Sequence, residues 1–199
     1  MALAGCTGVF IGFESLSDWS PYGSSPTLSL STTHVEGLRS LSVAGGGWSS
    51  VISGVLVKQD PAPTTVGFDL RIPSPQPNPN WFGTVQLFVS IPSQGINNLP
   101  LGIHDLITWT PGQFKRAEFN LPANVQTALN TNFNDLRWRI ELNRPNNATA
   151  GYLFDRFTYG PLCTPQSDGN PCTTDTCNAQ VQQEHTPVPA GTSCSDSNT

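Results

Sequence analysis

Charge is scarce in this chain. Asp, Glu, Lys and Arg make up 12% of 199 residues, and the net charge is −5. So few cations exclude the basic surface that nucleic acid demands. No apolar run approaches the roughly 20 residues of a membrane-spanning helix. There is no Gly-x-Ser-x-Gly elbow, no His-Glu-x-x-His and no phosphate loop, so the enzyme classes marked by those motifs lack their residues. All nine Lys and Arg precede Gly160, and from Pro161 onward there is no aromatic residue either. A stretch so poor in apolar side chains cannot build a core there, and disulfides are the usual substitute.

What is present is punctuation. Eighteen glycines and eighteen prolines break the chain into short alternating segments, which favours strands and turns over long helices. Residues 9–13, 27–31, 39–43, 51–57, 66–72, 85–91, 113–121 and 136–142 read as strands. Residues 15–26, the proline-rich 73–80 and the long stretch to about residue 108 read as loops. Val125 to Asn130 reads as one helical turn. The stretch Gly151–Gly160 (GYLFDRFTYG) is the last strand. Strict alternation puts Leu153, Asp155, Phe157 and Tyr159 on one face. Asp155 then needs a partner, because an unpaired buried carboxylate is very costly: a metal ion, a distant arginine or backbone N–H groups. The expected fold is all-β, a two-sheet antiparallel sandwich over residues 9–160. An N-terminal segment, 1–8, precedes it and a cysteine-rich extension, 161–199, follows.

The order of certain motifs resembles jelly-roll carbohydrate-binding modules. The residues that carry the resemblance are Gly12-Phe13-Glu14 followed by Trp19, the segment Glu36-Gly37-Leu38-Arg39-Ser40-Leu41-Ser42-Val43, Trp109-Thr110, and Tyr152-Leu153-Phe154-Asp155. In that family a structural calcium ion often ties the first strand to the last. The resemblance assigns Ca²⁺ to Glu14 and Asp155, with backbone carbonyls near Glu36 and Gly37 as further ligands. Calcium accepts mixed sets of carboxylate and carbonyl oxygens. The competing reading pairs Asp155 with Arg39 or another arginine.

Sugar binding needs aromatic faces and planar polar groups. Trp138 and Trp109 read as core residues, and Trp19 is evenly balanced. Trp48 and Trp81 are the binding candidates, with loop capping as the alternative. By parity Asp69, Arg71, Gln86, Phe88, Arg137, Arg139 and Glu141 all face outward. Such a row around one aromatic suits a glycan groove; it equally suits a solvated sheet face with cross-strand ion pairs. Glu118 and Glu141 are the one carboxylate pair that a glycosidase reading would use.

The tail resembles a cysteine-rich repeat of secreted myxobacterial proteins, through Asp168-Gly169-Asn170-Pro171-Cys172-Thr173-Thr174-Asp175-Thr176-Cys177, His185-Thr186-Pro187-Val188 and Gly191-Thr192-Ser193-Cys194. The family's strand order implies that Cys6 and Cys163 meet and form a bridge. Cys172 with Cys177, or Cys177 with Cys194, are the remaining pairings. Leu3-Ala4-Gly5-Cys6 also matches a lipoprotein lipobox, and lipidation of Cys6 would exclude its bridge. The expected location is extracellular or at the cell surface, in a longer multidomain chain. The expected function is non-catalytic attachment to a polysaccharide or cell-surface glycan. The alternatives are an adhesive surface protein that binds no sugar and a small jelly-roll lyase or hydrolase.

Overall fold

The computed structural model describes residues 9–11, 13–23, 26–56, 63–159, 167–177, 183–189 and 194. Its strands are β1 (Val9–Ile11), β2 (Trp19–Tyr22), β3 (Thr27–Ser31), β4 (Ser40–Ala44), β5 (Gly47–Ser53), β6 (Thr65–Arg71), β7 (Thr84–Ile91), β8 (Ile96–Asp105), β9 (Phe114–Asn120), β10 (Arg137–Arg144), β11 (Tyr152–Tyr159), β12 (Thr173–Cys177) and β13 (Gln183–Pro187). A short helix, α1 (Ala123–Leu129), buries Val125, Ala128 and Leu129. The strands form two antiparallel sheets in a sandwich. Sheet A runs β3-β4-β11-β6-β9, with β1 also on β11, and sheet B runs β2-β5-β10-β7-β8.

Alternation explains most of the core. Val66, Phe68 and Leu70 of β6 face Val85, Leu87 and Val89 of β7 and Trp138, Ile140 and Leu142 of β10, and all are buried. Aromatic rings fill the centre. Phe13 stacks on Trp19 at 5.3 Å between centroids, and Phe157 packs edge-on to Trp19 at 5.3 Å. Trp19 and Trp109 are therefore core residues, as is Trp138.

Strict alternation fails in β11. Its pairing with β6 shifts register between Asp155 and Thr158, and Arg156 sits at φ 43. This bulge inserts one residue. Tyr152 and Phe154 point inward before it and Phe157 after it, while Leu153 and Asp155 lie on the outer side. The expected shared face of Leu153, Asp155 and Phe157 is thus corrected: a bulge resets the period. Two further readings are corrected. β2 and β8 lie in stretches read as loops. Both are sheet B edges and carry Pro21 and Pro100, which edge strands tolerate.

The tail holds the hairpin β12–β13 and a Cys172–Cys194 disulfide. The bridge joins Cys172 to Cys194, so neither expected pairing with Cys177 forms. Cys6 and Cys163 lie outside the described residues, and so does the lipobox.

Candidate functional site

Antiparallel register places the outward side chains of sheet B in rows. One row runs Tyr22, Ser50, Glu141, Gln86 and Ile103 across all five strands. The next runs Ser20, Ile52, Arg139, Phe88 and Pro100. A third holds Trp48, Asn143, Thr84 and Asp105. Four interstrand steps of about 4.8 Å make this face roughly 19 Å wide.

Arg139 is its centre. The guanidinium carbon lies 3.7 Å over the Phe88 ring and 5.5 Å from that of Tyr22. Nε donates to Asn98 Oδ1 at 2.9 Å, and Nη1 donates to Glu141 Oε2 at 2.5 Å and to Ser50 Oγ at 3.2 Å. Only 9% of the Arg139 side chain is exposed. The surrounding donors and acceptors are what make such burial tolerable. Asn98 takes a positive φ of 50 within the irregular pairing of β7 with β8. Asparagine enters that region more readily than most residues, and the turn sets its amide oxygen on Arg139. Phe88, the mid-strand phenylalanine, is thereby roofed by a cation.

The aromatic surfaces left open are Trp48 at 56% exposure and Tyr22 at 47%; Ile103 adds an apolar edge at 58%. Because Tyr22 pairs with Ser50, Tyr22 and Trp48 are diagonal neighbours, roughly 7–8 Å apart. Arg137 is exposed at one end, opposite Ser90.

The predicted outward row therefore divides. Gln86, Phe88, Arg137, Arg139 and Glu141 share sheet B with Trp48. Asp69 and Arg71 belong to β6 and lie on the outer face of sheet A. Asp69 is buried and ion-paired, its Oδ2 accepting from Arg156 Nε at 2.6 Å. Arg71 Nε donates to the Gly112 carbonyl at 2.8 Å. Parity tells inward from outward but does not say which sheet a strand joins. Trp81 is half-buried in the loop before β7. Glu118 and Glu141 project from opposite sheets, so they cannot flank one glycosidic bond. Tyr22, Ser50, Asn98, Ile103 and Asn143 were not foreseen. Three of them sit on the two edge strands read as loops.

The implied calcium residues do gather. Glu14 Oε1 accepts from the Leu38 N–H at 2.9 Å and from Arg39 N–H at 3.4 Å. A Cβ on Gly37, at φ 66, would lie 1.8 Å from that oxygen, so the glycine leaves the space in which the carboxylate rests. Asp155 Oδ2 accepts from Val35 N–H at 2.5 Å and Glu36 N–H at 3.1 Å, and Oδ1 accepts from Arg156 N–H at 2.7 Å. Backbone N–H groups are therefore the partners Asp155 needed. Burial, Asp155 and Glu14 together push the Glu36 carboxyl above its usual range. Carboxylate and carbonyl oxygens are the donors calcium takes, but here the Glu14 and Asp155 oxygens already accept from backbone N–H groups. Among the described residues the set of ligand atoms close enough to hold a metal ion lies elsewhere: Asp168, Asp175 and His185 each bring one ligand atom within 4.8 Å of the others. There His185 Nδ1 lies 2.6 Å from Asp175 Oδ1.

No protein-family description matches this sequence, and no curated protein matches it either. Solved structures do match in shape. One is a carbohydrate-binding module specific for non-crystalline cellulose, CBM28, with TM-score 0.56 and 14% identity, over 81% of this chain and 95% of that one. Another is CBM27-1 of Caldicellulosiruptor saccharolyticus in complex with mannohexaose, with TM-score 0.53 and 16% identity, over 77% and 97%. A third comes from work on the carbohydrate-binding modules of the β-sandwich superfamily, with TM-score 0.52 and 17% identity. It covers 73% of this chain, which spans 59% of that one. The fold is shared with carbohydrate-binding modules. At such identities the likeness concerns the arrangement of strands, and the residues on the face must carry any functional argument.

Proposed function

We propose that the chain is a non-catalytic carbohydrate-binding module that docks a glycan chain across the outer face of sheet B. The observation that carries this is the pairing of exposed Trp48 and Tyr22 beside a fixed lattice of planar polar groups, Arg139, Glu141, Gln86, Asn98 and Asn143. Aromatic faces stack on sugar C–H surfaces while the polar groups bind hydroxyls. Arg139, Glu141 and Asn98 are already bonded to one another within the protein, so little ordering of these three is left to occur on binding. The fold likeness to modules described with mannohexaose and cellulose supports this reading. In keeping with the disulfide, the module would work outside the cytoplasm, as part of a longer protein held to a polysaccharide or cell-surface glycan. A structural Ca²⁺ is placed on Glu14 and Asp155, with backbone carbonyls near Glu36 and Gly37 as further ligands, as the family resemblance implies.

The test is native-gel retardation with a panel of soluble neutral polysaccharides. Wild type should be retarded by at least one glycan class. Trp48→Ala and Tyr22→Ala should each weaken binding about tenfold or more, by analogy with the 1–3 kcal/mol lost when an aromatic stacking partner is removed from a nucleobase. Both residues are exposed, so folding stability should stay within about 0.5 kcal/mol. A chain that no glycan retards would favour the adhesive reading.

A further inference from the structure

The opposite sheet carries a groove that the sheet B reading does not use. It has a volume of about 510 Å³ and crosses the outer face of sheet A. Its floor is one register row across four strands: Ser29, Ser42, Leu153 and Arg71. Ser31, Thr32, Thr33 and Ser74 add further hydroxyls, and no carboxylate lines it. Among the described residues, the hydroxyls of Ser29, Thr32, Thr33, Ser42 and Ser74 make no hydrogen bond within the protein, so they are available to a ligand.

Arg71 is the last groove-lining residue of this row, with Phe114 of β9 beyond it. Its Nε is pinned to the Gly112 carbonyl, which fixes the stem and leaves both Nη groups free to bind. Asp69, two residues along the same face, is taken by Arg156. Among the described residues no carboxylate pairs with Arg71. An uncompensated, half-buried guanidinium fork matches a carboxylate in bidentate geometry. Gly151 keeps the floor open, since a Cβ there would lie 2.0 Å from Ser42 Oγ. A second groove of about 290 Å³ shares Pro73, Ser74 and Ala150 with the first and extends it along the Pro73–Pro77 loop. The Tyr152 hydroxyl donates to the Phe82 carbonyl at 2.6 Å and lies 3.2 Å from Gln76 Oε1 in that loop. An elongated trough of hydroxyls with one cation suits a chain of acidic sugars better than a free anion.

We propose that the outer face of sheet A is a second saccharide site, specific for a uronate unit whose carboxylate is held by Arg71. It is independent of the sheet B reading. The test uses the full chain, a de-esterified polyuronate oligosaccharide, its methyl ester and a neutral glycan, measured by titration calorimetry. The acid should bind, and the ester should bind about tenfold more weakly or worse, the scale of a lost charge-assisted bond. Arg71→Gln should weaken acid binding by a similar factor, whereas Trp48→Ala should leave it unchanged. The ester comparison uses unaltered protein, so it stands even if Arg71→Gln folds poorly. Absent binding of the acid, equal binding of acid and ester, or loss of acid binding in Trp48→Ala would each overturn the proposal. Failure of neutral glycans alone would sink only the sheet B reading.

Discussion

Asp69 and Arg71 stand two residues apart on one outer face, and the sequence treats them alike. Their fates differ because of a third residue. Arg156 reaches Asp69 from the β11 bulge, and its carbonyl accepts from Arg116 Nη1 at 2.7 Å. Arg116 Nη2 also donates to Thr158 Oγ1. Substituting Asp69→Asn removes the charge from a buried acceptor while Arg156, about a third exposed, stays partly hydrated. The expected loss is about 1.5–3 kcal/mol, the range for hydrogen bonds to charged groups. It should appear in urea unfolding as a lower midpoint with an unchanged slope. A change under 0.5 kcal/mol would mean that the pair contributes nothing net. Parity made the outward direction of Asp69 and Phe88 legible. It could not reveal Arg156 or Arg139 as their partners, since both depend on register between strands distant in sequence.

At the scale of elements, the strands with a buried face were legible and the edges were not. β6, β7 and β10 alternate cleanly because one side of each meets the core. β8 has the sequence Ile-Asn-Asn-Leu-Pro-Leu-Gly-Ile-His-Asp and is mostly exposed, so water imposes no period on it. Since the candidate glycan face reaches both edges, three of its contributors, Tyr22, Asn98 and Ile103, stayed hidden. The end of β10 was also misread as a turn. Arg144 there is buried, donating to the Val43 carbonyl at 2.5 Å and to Ser49 Oγ at 2.6 Å. Burial lowers its pKa to about 10, and burial raises the neighbouring Tyr152 phenol from 10.0 to about 12. The raised phenol contributes stability that is present in full below pH 10 and is lost as pH rises through about 12. The depressed guanidinium has the opposite sign over the same window: its burial penalty lifts as it deprotonates. Comparing wild type with Tyr152→Phe isolates the phenol. The stability advantage of wild type should shrink between pH 10 and 12, and a pH-independent difference would refute the assignment.

At the scale of the whole molecule, two carboxylates tie one loop to the sandwich. Glu14 lies just before β2 and Asp155 in β11, and both grip the N–H groups of residues 35–39. That grip fixes a loop in which Glu36 is crowded by like charge. The resemblance puts calcium on Glu14 and Asp155, and in the fold both carboxylates lie beside this loop because β1 pairs with β11. A cation bound there only in the folded state stabilises by mass action, about 2.7 kcal/mol at a hundredfold excess over Kd. For a domain of this size that is a rise in Tm of about 5–10 °C. Calcium alone, added to chelator-treated protein, should produce this shift. Glu36→Gln should reduce it while sparing the N–H contacts of Glu14 and Asp155. The hairpin set provides the control, because Asp168→Asn with His185→Gln should leave the shift intact. If instead the hairpin double variant abolishes it and Glu36→Gln does not, the metal belongs to the tail, and the carboxylates of the sandwich serve as caps for backbone N–H groups and nothing more.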